Sequence, residues 1–463
     1  MAKKSKPIPE FHHAAAARAR REEGQDRRAI VPLESHASVP SGREDAMDII
    51  TAQDSSRLPN LVPIRHGRMS VSPFTFYRAT AAVMASDLSR TPTTDLTLQI
   101  CGDAHLSNFG VFSGPDRRLV FDLNDFDETL AGPFEWDVKR LAASITVAGR
   151  HNDFKEKEIR RATRSAVTAY REGLERLSHI APLALNYIRV EIEPVIQSLK
   201  DPTMRKRADK VSQKAQLRDS ISAVGKLTEI VNGRHQIVSR PPLIIRLDEQ
   251  LAATGSKEIQ DFFGSYLSTL PHHRQHLLSR YAVVDVAHKI VGVGSVGTRC
   301  MIVLLESGDG HPLFLQFKEA GPSVLEPYCG DSPYSEHGER VVQGQRLMQT
   351  TGDIFLGWSQ LHREGMTTDF YFRQLWDGKG SFDPEGMRPA GFELYAAVCG
   401  DTLALAHARS GDASMISGYL GTDSTFDEAI TDFSSGYADI IEADHGVHAA
   451  AIASGRIEAI RDI

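Results

Sequence analysis

Apolar residues recur along the chain at two spacings, one typical of helices and one typical of strands. Helical periodicity marks an alanine-rich stretch after Pro73 and the long segment from Trp136 to about His272. A further helix is predicted over residues 336–350, and the chain is predicted to be helical again after Pro389. Short apolar runs bounded by turn-forming residues predict strands over residues 97–100, 119–123, 281–291, 299–305, 313–317 and 370–375. These patterns predict an α+β protein.

The order of these elements divides the sequence into four predicted segments. Residues 1–60 form a flexible lead-in. Its first 28 residues are basic and are predicted to be a disordered or fraying helical arm, and the Pro- and Ser-punctuated remainder is predicted to be extended. Residues 61–280 are predicted to form a helical lobe that carries the first two strands. Residues 281–380 are predicted to form a small β-rich lobe, and residues 381–463 to form C-terminal helices.

Composition and charge argue against several classes of protein. Hydrophobic residues make up 41% and charged residues 24% of the chain, as in ordinary globular proteins. The net charge of −7 provides no overall basic field that would attract nucleic acid or an anionic membrane. The four cysteines lie far apart, which predicts reduced thiols rather than disulfides or a zinc site. No apolar run reaches the roughly 18 residues of a membrane span and no signal-peptide pattern is found, so we expect a cytoplasmic protein.

Acidic and amide side chains cluster at the ends of the first two predicted strands. Asp103 and Asn108 follow the first strand, and Asp125 and Asp127 follow the second. Any one of them alone would be an ordinary turn residue. Together they match phosphoryl transfer, which needs a carboxylate beside the attacking hydroxyl and hard oxygen ligands for a metal ion. We interpret Asp103 as the group that orients the hydroxyl or accepts its proton, and Asn108, Asp125 and Asp127 as ligands of Mg²⁺ or Mn²⁺.

His105 lies in the same loop and admits two interpretations. A Gly-Asp-x-His sequence also occurs in two-metal phosphoesterases, in which histidines and carboxylates share the metal ions. Such sites need further histidine ligands, but no Gly-Asn-His sequence follows, and His105 is the only histidine between Gly67 and Arg150. We therefore predict that His105 contributes to the catalytic loop by bracing it through hydrogen bonds.

A second group of residues has the composition of a phosphate-binding loop. Gly292, Gly294 and Gly297 form a G-x-G-x-x-G sequence that includes Ser295. A dinucleotide-binding loop would open a helix, whereas here a strand, a turn and a strand ending in Lys318 follow. This is the layout of a kinase nucleotide lobe, in which the glycine loop covers the phosphates and the lysine reaches the α- and β-phosphates. We predict that these residues bind ATP.

In that layout the lysine pairs with an acid on the following helix. Within the predicted helix 336–350, Glu339 is our choice for this acid and Glu336 is the alternative. Either residue would also fit a solvated helix face, where charged positions are common.

The sequence around the first cluster resembles known kinases. Residues 101–108, Cys-Gly-Asp-Ala-His-Leu-Ser-Asn, are similar to the His-Gly-Asp-x-His-x-x-Asn loop of aminoglycoside phosphotransferases and choline kinases. The segment from Asp125 to Asp137 resembles their metal-binding segment. The resemblance implies that Asp103 is the catalytic base, that Asn108 and Asp125 bind Mg²⁺, and that Asp137 anchors the loop. The first position of the loop is cysteine here, where those families often carry histidine.

Longer strings also resemble a bacterial family. NDFDET, VGVGSVGTR and FLQFKEA are similar to the family catalogued as domain of unknown function 2252, and the similarity extends from about residue 30 onward. This resemblance implies family membership but no substrate.

The order of the two clusters is reversed relative to ordinary kinases. The catalytic Asp103 precedes Gly297 by about 200 residues, whereas kinases place the glycine loop first. A circularly permuted, bilobal, protein-kinase-like fold would unite the two clusters in one site. Permutation is tolerated where the original chain ends lie close together. It predicts that residues 381–463 return to pack near residues 60–90.

We therefore expect an ATP- and Mg²⁺-dependent phosphotransferase that acts on a hydroxyl of a small molecule or a protein. Transfer of AMP on the same fold, a nucleotide-binding regulatory module without chemistry, and a metallophosphoesterase are the alternatives. The retained Asp103, Asn108, Asp125 and Lys318 argue against a non-catalytic module, and the missing histidines argue against an esterase. The expected partners are the nucleotide and an unidentified acceptor. The sequence gives no indication of the oligomeric state.

Overall fold

Helices and antiparallel strands alternate along the chain in the computed structural model, which describes residues 16–199, 201–218, 220–247, 257–363 and 365–461. The α-helices are α1 (Ala17–Asp26), α2 (Ala46–Asp54), α3 (Val62–Met69), α4 (Pro73–Arg78), α5 (Ala81–Leu88), α6 (Phe134–His151), α7 (Glu156–Ser178), α8 (Pro182–Leu185), α9 (Ile192–Ser198), α10 (Pro202–Gln216), α11 (Ser220–Leu227), α12 (Lys257–Ser268), α13 (His272–Leu278), α14 (Glu326–Cys329), α15 (His337–Met348), α16 (Pro389–Ser410), α17 (Ala413–Leu420) and α18 (Thr425–Ala453). The strands are β1 (Thr97–Ile100), β2 (Phe109–Ser113), β3 (Leu119–Leu123), β4 (Leu130–Pro133), β5 (Val190–Glu191), β6 (Thr228–Val231), β7 (Arg234–Ile237), β8 (Ile244–Arg246), β9 (Tyr281–Lys289), β10 (Cys300–Ser307), β11 (Pro312–Glu319), β12 (Gly357–Arg363) and β13 (Met366–Gln374). The predicted α+β class is confirmed.

Local capping signals start the helix that precedes the catalytic loop. The Ser72 hydroxyl accepts a hydrogen bond from Thr75 N, the Thr75 hydroxyl accepts one from Ser72 N, and Pro73 occupies the first helical position. The helix predicted after Pro73 is divided, because α4 ends at Arg78 and α5 begins at Ala81. The main chain between the two helices includes Ala79, which lines the cavity described below.

The largest sheet has six antiparallel strands in the order β12-β13-β11-β10-β9-β8. Its register places Lys318 of β11 opposite Cys300 of β10 and Tyr371 of β13. Phe317 lies in the core between this sheet and α12, whereas the alternate residues Gln316 and Lys318 lie on the opposite face. Smaller sheets pair β1 with β4, β2 and β5 with β3, and β6 with β7. Lys318 is thus presented by an inner strand on the face away from α12.

The principal hydrophobic core joins α4–α7 and β1–β4 to the C-terminal helices. Within it, Phe134 of α6 stacks on Tyr170 of α7 with 6.3 Å between the ring centroids. A second core lies between α12 and the six-stranded sheet, where Phe262 contacts Phe317 and Phe372. The catalytic loop leaves β1 in the first core, and the glycine loop leaves β9 of the sheet.

The C-terminal segment packs against the early helices. His448 Nε2 of α18 lies 2.9 Å from His66 Nδ1 of α3, and the Tyr437 hydroxyl donates a hydrogen bond to Asp87 Oδ2 of α5 at 2.8 Å. Further along, the backbone N–H of residue 460 donates to the carbonyl of residue 63 at 2.8 Å. The described part of the C-terminal segment therefore contacts the region of residues 60–90.

Several strands lie where the sequence pattern predicted none. The hairpin β6–β7 and the edge strand β8 interrupt the segment that was predicted to be helical up to His272. Asn232 and Gly233, both at positive φ, form the hairpin turn, and Asn-Gly is a strong hairpin signal that the helical interpretation overlooked. The pattern also missed β2, β4 and β12; β2 is buried along its whole length and so lacks the alternation of a half-exposed strand.

The lead-in predicted to be flexible is folded in its described part. It contains α1 and α2, and Gly24 of α1 lies so close to Met415 of α17 that a Cβ at this glycine would overlap the methionine backbone. Arg28 donates a hydrogen bond to the carbonyl of Tyr419, 391 positions away, at 2.6 Å. Such long-range contacts are not readable from local composition. Residues 1–15 lie outside the described residues.

The cysteines and the helix lengths bear on two further expectations. All four cysteines are free thiols, as predicted. Among the described helices, none combines the length and the apolarity needed to cross a membrane.

Candidate active site

The loop of residues 101–108, which follows β1, is tied to the first turn of α6. Asp137 accepts hydrogen bonds from the backbone N–H groups of Cys101 at 2.6 Å and Gly102 at 2.9 Å, and His407 Nε2 lies 3.2 Å from the same carboxylate. The anchoring role implied for Asp137 is confirmed. The Cys101 thiol donates to the carbonyl of Asp125 at 3.1 Å. Cysteine at this position therefore links the loop to the segment that carries the acidic residues.

Gly102 is required by the shape of this turn. Its φ is +79°, a conformation that residues with a Cβ rarely adopt. A Cβ at this position would also lie 2.6 Å from the carbonyl oxygen of Glu128. The glycine therefore allows the loop to approach the acidic segment closely, which brings Asp103 next to Asp125.

Asp103 is held by Arg140 of α6. Arg140 Nε and Nη2 lie 2.9 Å and 2.8 Å from Asp103 Oδ1. The guanidinium is itself fixed, because it stacks 3.9 Å from the centre of the Tyr77 ring and donates to the Tyr77 carbonyl at 2.8 Å. Burial raises the pKa of Asp103 to about 7, against the opposing effect of Arg140. A carboxylate with a pKa near neutrality is suited to general base catalysis.

His105 makes the kind of contact that was predicted for it. Its Nδ1 accepts a hydrogen bond from the backbone N–H of Ser107 at 3.1 Å. Burial lowers the pKa of His105 well below its ordinary value, and Arg78 and Arg140 lower it further, so the ring is neutral. Because Nδ1 is an acceptor, the ring proton lies on Nε2, which is 3.8 Å from Asp103 Oδ2.

Asn108 and Asp125 are the residues predicted to bind a magnesium ion most directly. Asn108 Nδ2 donates to the Asp103 carbonyl at 2.5 Å. Asp125 Oδ1 is buried without a hydrogen-bond partner and lies 3.7 Å from Lys318 Nζ. Burial, together with Asp127, raises the pKa of Asp125.

Two protein ligands are a small set for a metal ion. Within the described residues, no group of three or more His, Cys, Asp or Glu side chains is arranged to hold a metal. Mg²⁺ in nucleotide sites commonly takes one or two carboxylates and completes its shell with phosphate oxygens and water. The roles of Asn108 and Asp125 as ligands of such an ion stay a prediction.

Lys318 reaches from the six-stranded sheet to Asp127. Its Nζ lies 2.5 Å from Asp127 Oδ2, and the Tyr371 hydroxyl donates to Asp127 Oδ1 at 2.6 Å. Burial alone would lower the pKa of Lys318, but Asp125 and Asp127 raise it well above its ordinary value. Burial alone would likewise raise the pKa of Asp127, but Lys318 and Tyr371 lower it. Both partners are therefore charged, and residues 191 positions apart form one ion pair.

The acids proposed as partners of Lys318 lie at the start of α15. Glu336 is its N-cap residue, and Glu339 is buried in the first turn, where Gln343 Nε2 lies 3.4 Å from its Oε1. Lys318 contacts the carboxylates of the acidic segment, Asp127 most closely. Its pairing with Glu339 stays a prediction.

One cavity of about 160 Å³ lies between the two predicted clusters. The predicted residues that line it are Asp103, His105, Asn108, Asp125, Asp127, Gly292, Gly294 and Ser295. Lys318 is bonded to Asp127 at its edge, and Gly297 ends the loop at a φ of +97°. The structure thus brings both clusters together around a shared space.

Arg140, Tyr77 and Arg78 belong to this region and were not predicted. Arg140 follows Asp137 by three positions and so lies on the same face of α6, a spacing that is a usable sequence signal. Tyr77 and Arg78 lie in α4, which the pattern marked only as a helix, and Arg78 lines the cavity. Their approach to the loop depends on tertiary packing.

The sheet face beside Lys318 is polar. Gln316 Oε1 accepts a hydrogen bond from Arg373 Nε at 2.9 Å, and Gln316 Nε2 lies 3.2 Å from Cys300 Sγ. Burial, and then the charge of Arg373, lower the pKa of Lys379 to about 7. An amide and several cations therefore occupy this part of the face.

Comparison with known proteins identifies a family but no activity. Residues 57–451 match the model of a family described as "Uncharacterized protein conserved in bacteria (DUF2252)". The match includes every predicted site residue, and the resemblance of the longer strings to this family is confirmed. No curated protein and no solved structure gives a significant match to the chain.

Proposed function

We propose that this chain, which belongs to the bacterial family DUF2252, is an ATP- and Mg²⁺-dependent phosphotransferase acting on a hydroxyl of a small molecule or a protein. The observation that carries the proposal is the meeting of two clusters far apart in sequence. Lys318 Nζ lies 2.5 Å from Asp127 and 3.7 Å from Asp125, and the glycine loop shares a cavity with Asp103. A lysine beside a metal-binding carboxylate, together with a glycine loop, suits the phosphates of ATP.

We further propose a kinase-like fold of two lobes whose sequence order is circularly permuted. In an unpermuted chain the end of segment 381–463 would lead into residue 61. The hydrogen bond from the backbone N–H of Ile460 to the carbonyl of Pro63, at 2.8 Å, supports this order because it joins the two segments that would be neighbours. The proposed parts are the helical lobe 61–280, the nucleotide lobe 281–380 and the returning helices 381–463.

Asp103 is the proposed catalytic base. The acceptor oxygen bonds to the terminal phosphorus of ATP as the bond from that phosphorus to the bridging oxygen breaks. The electron pair of the broken bond leaves on ADP, and the acceptor proton goes to Asp103. Since Arg140 occupies Oδ1, Oδ2 is the oxygen that receives the proton. A pKa of about 7 keeps roughly half of Asp103 ionised at neutral pH.

Asn108 and Asp125 are the proposed magnesium ligands. A magnesium ion held by Asn108 and Asp125 would supply positive charge against the negative charge that develops during transfer. Asp125 is better placed than Asp127 to be the principal ligand, because one of its oxygens lacks a hydrogen-bond partner while both oxygens of Asp127 are engaged. Lys318 is proposed to leave Asp127 for the phosphates when the nucleotide binds.

AMP transfer is the second candidate, and the polar sheet face favours it. A purine ring binds well between apolar and aromatic side chains. This face is polar and would suit the phosphates of the nucleotide rather than its purine base, because it carries Gln316, Arg373 and Lys379. A nucleotide bound in the reverse orientation would present its α-phosphate to the catalytic loop.

ATP labelled separately in its α- and γ-phosphates distinguishes these two reactions. The purified chain is incubated with each label and a bacterial extract that supplies small-molecule and protein acceptors. Phosphoryl transfer moves only the γ-label, and AMP transfer moves only the α-label. Asp103→Asn should abolish transfer but leave ATP binding largely intact, whereas the exposed-site variant Arg90→Met should behave as wild type. An absence of both transfer and ATP binding would refute the proposal.

A further inference from the structure

Arg78 is a cation in the cavity without a partner. Among the described residues its guanidinium forms no hydrogen bond or ion pair, and its Nε is buried. The neighbouring arginines are all engaged: Arg57 donates to a carbonyl of the glycine loop, Arg65 pairs with Asp54, and Arg140 pairs with Asp103. A desolvated cation is costly unless an anion or another acceptor meets it. Arg78 is therefore placed to receive an anionic group.

The main chain around Arg78 is held in place from both sides. The carbonyl of Tyr77, the residue before Arg78, accepts a hydrogen bond from Arg140 at 2.8 Å. The carbonyl of Ala79, the residue after it, accepts one from Arg65 at 3.3 Å. These contacts fix the base of the Arg78 side chain. The guanidinium therefore extends from a main chain that is held in place.

The glycine loop lies directly against Arg78. A Cβ built on Gly294 would be 3.2 Å from the Arg78 carbonyl and 3.7 Å from Ala79 Cα. Gly294 lines the cavity together with Arg78 and Asp103. Arg78 thus lies where the proposed phosphate-covering loop meets the proposed base.

The charges around the cavity show why this cation matters. Asp103, Asp125 and Asp127 line it, and a polyphosphate entering this space would be repelled. Lys318 is already paired with these acids and Arg57 with a backbone carbonyl. Among the described residues that line the cavity, Arg78 is the arginine that can bind a phosphate without first breaking a hydrogen bond or an ion pair.

We propose that Arg78 binds the terminal phosphate of the nucleotide as that group is transferred. This inference rests on the proposed function and adds a residue to it. A guanidinium offers several N–H donors to phosphate oxygens and keeps its charge, so it suits a group on which negative charge is spread. Arg78 belongs to α4 of the helical part, whereas Lys318 belongs to β11 of the sheet.

Affinity measurements with and without a terminal phosphate test the inference. The dissociation constants of ADP and of the non-hydrolysable ATP analogue AMP-PNP, each with Mg²⁺, are measured by calorimetry for wild type, Arg78→Met and Arg78→Lys. We expect Arg78→Met to raise the dissociation constant of AMP-PNP by about tenfold or more and that of ADP by less than about threefold. The affinity of Arg78→Lys for AMP-PNP should lie between those of wild type and Arg78→Met. Arg90→Met, which removes an exposed arginine, should change neither affinity.

Thermal melts accompany the titrations. Arg78 has no partner among the described residues, so its replacement should leave the melting temperature within about 2 °C of wild type. Equal weakening of ADP and AMP-PNP, or no weakening of either, would overturn the role of Arg78 while leaving the proposed function intact. If the wild type binds neither nucleotide, the proposed function fails as well.

Discussion

Replacing Arg140 by methionine should shift the pH dependence of the proposed reaction. Arg140 Nε and Nη2 lie 2.9 Å and 2.8 Å from Asp103 Oδ1 inside the protein. An opposite charge this close lowers a carboxylate pKa by roughly one to three units. Its loss should therefore raise the pKa of Asp103 from about 7 to about 8 or higher. At pH 7 the ionised fraction of Asp103 would fall from about one half to about one tenth or less.

The assay is the rate of ATP turnover with Mg²⁺ as a function of pH. A base must be ionised, so the wild-type rate should rise with pH through the pKa of Asp103. In Arg140→Met the rise should occur at least about one pH unit higher, so that the rate falls about fivefold at neutral pH and recovers in alkali. Arg140→Lys keeps the charge and should shift the profile less.

A matched control is Arg409→Met. Arg409 is a largely buried arginine whose side chain donates to the carbonyl of Met348, away from Asp103. Its replacement should leave the pH at which the rate rises unchanged. An Arg140→Met profile lowered by the same factor at every pH would show that the ionisation of Asp103 does not limit the rate, and it would refute the reasoning.

Three further substitutions test the loop and the packing behind it. Gly102→Ala should lower the free energy of unfolding by about 2 kcal/mol or more and abolish turnover, because φ is +79° and the new Cβ would meet Glu128; denaturant titration measures the loss. Asp137→Asn should lower the free energy of unfolding by about 1–3 kcal/mol, because the amide retains only one of the two oxygens that accept the backbone hydrogen bonds from Cys101 and Gly102. Burial lowers the pKa of His448 from 6.5 to about 4. The folded protein therefore holds a neutral ring, and the stability that this ring contributes is complete above pH 6.5 and is lost as the pH falls towards 4. His448→Gln should therefore reduce the fall in unfolding free energy between those pH values by roughly 3 kcal/mol, and an unchanged fall would contradict the assignment.

The strands that carry the catalytic and acidic segments could be predicted from sequence. The predicted ranges 97–100 and 119–123 coincide with β1 and β3, because each is a short apolar run that ends at turn-forming residues. The polar residues directly after such runs lie at strand ends, which is how Asp103 and Asp125 could be identified. The strands around the glycine loop were predictable for the same reason, with boundaries that differ by one or two residues.

The contacts between distant segments could not be predicted in this way. The Lys318 ammonium contacts Asp127 at the edge of the cavity, although the expected partner was an acid on the next helix. Arg140 contacts the loop of residues 101–108, and Arg78 lines the cavity beside it, only because α4 and α6 pack against each other. A local pattern contains no information about such packing. The hairpin at Asn232 was missed because a helical period was extended over a turn sequence.

Calorimetric titration of the purified chain with ATP and Mg²⁺ tests the central claim most directly. The claim is that residues 101–127 and residues 292–318 form one nucleotide site. The account predicts saturable binding of one ATP, weakened about tenfold or more by Lys318→Met and, separately, by Asp125→Asn, while Arg90→Met binds as wild type. Binding that neither Lys318→Met nor Asp125→Asn weakens, or no binding by the wild type, would contradict it.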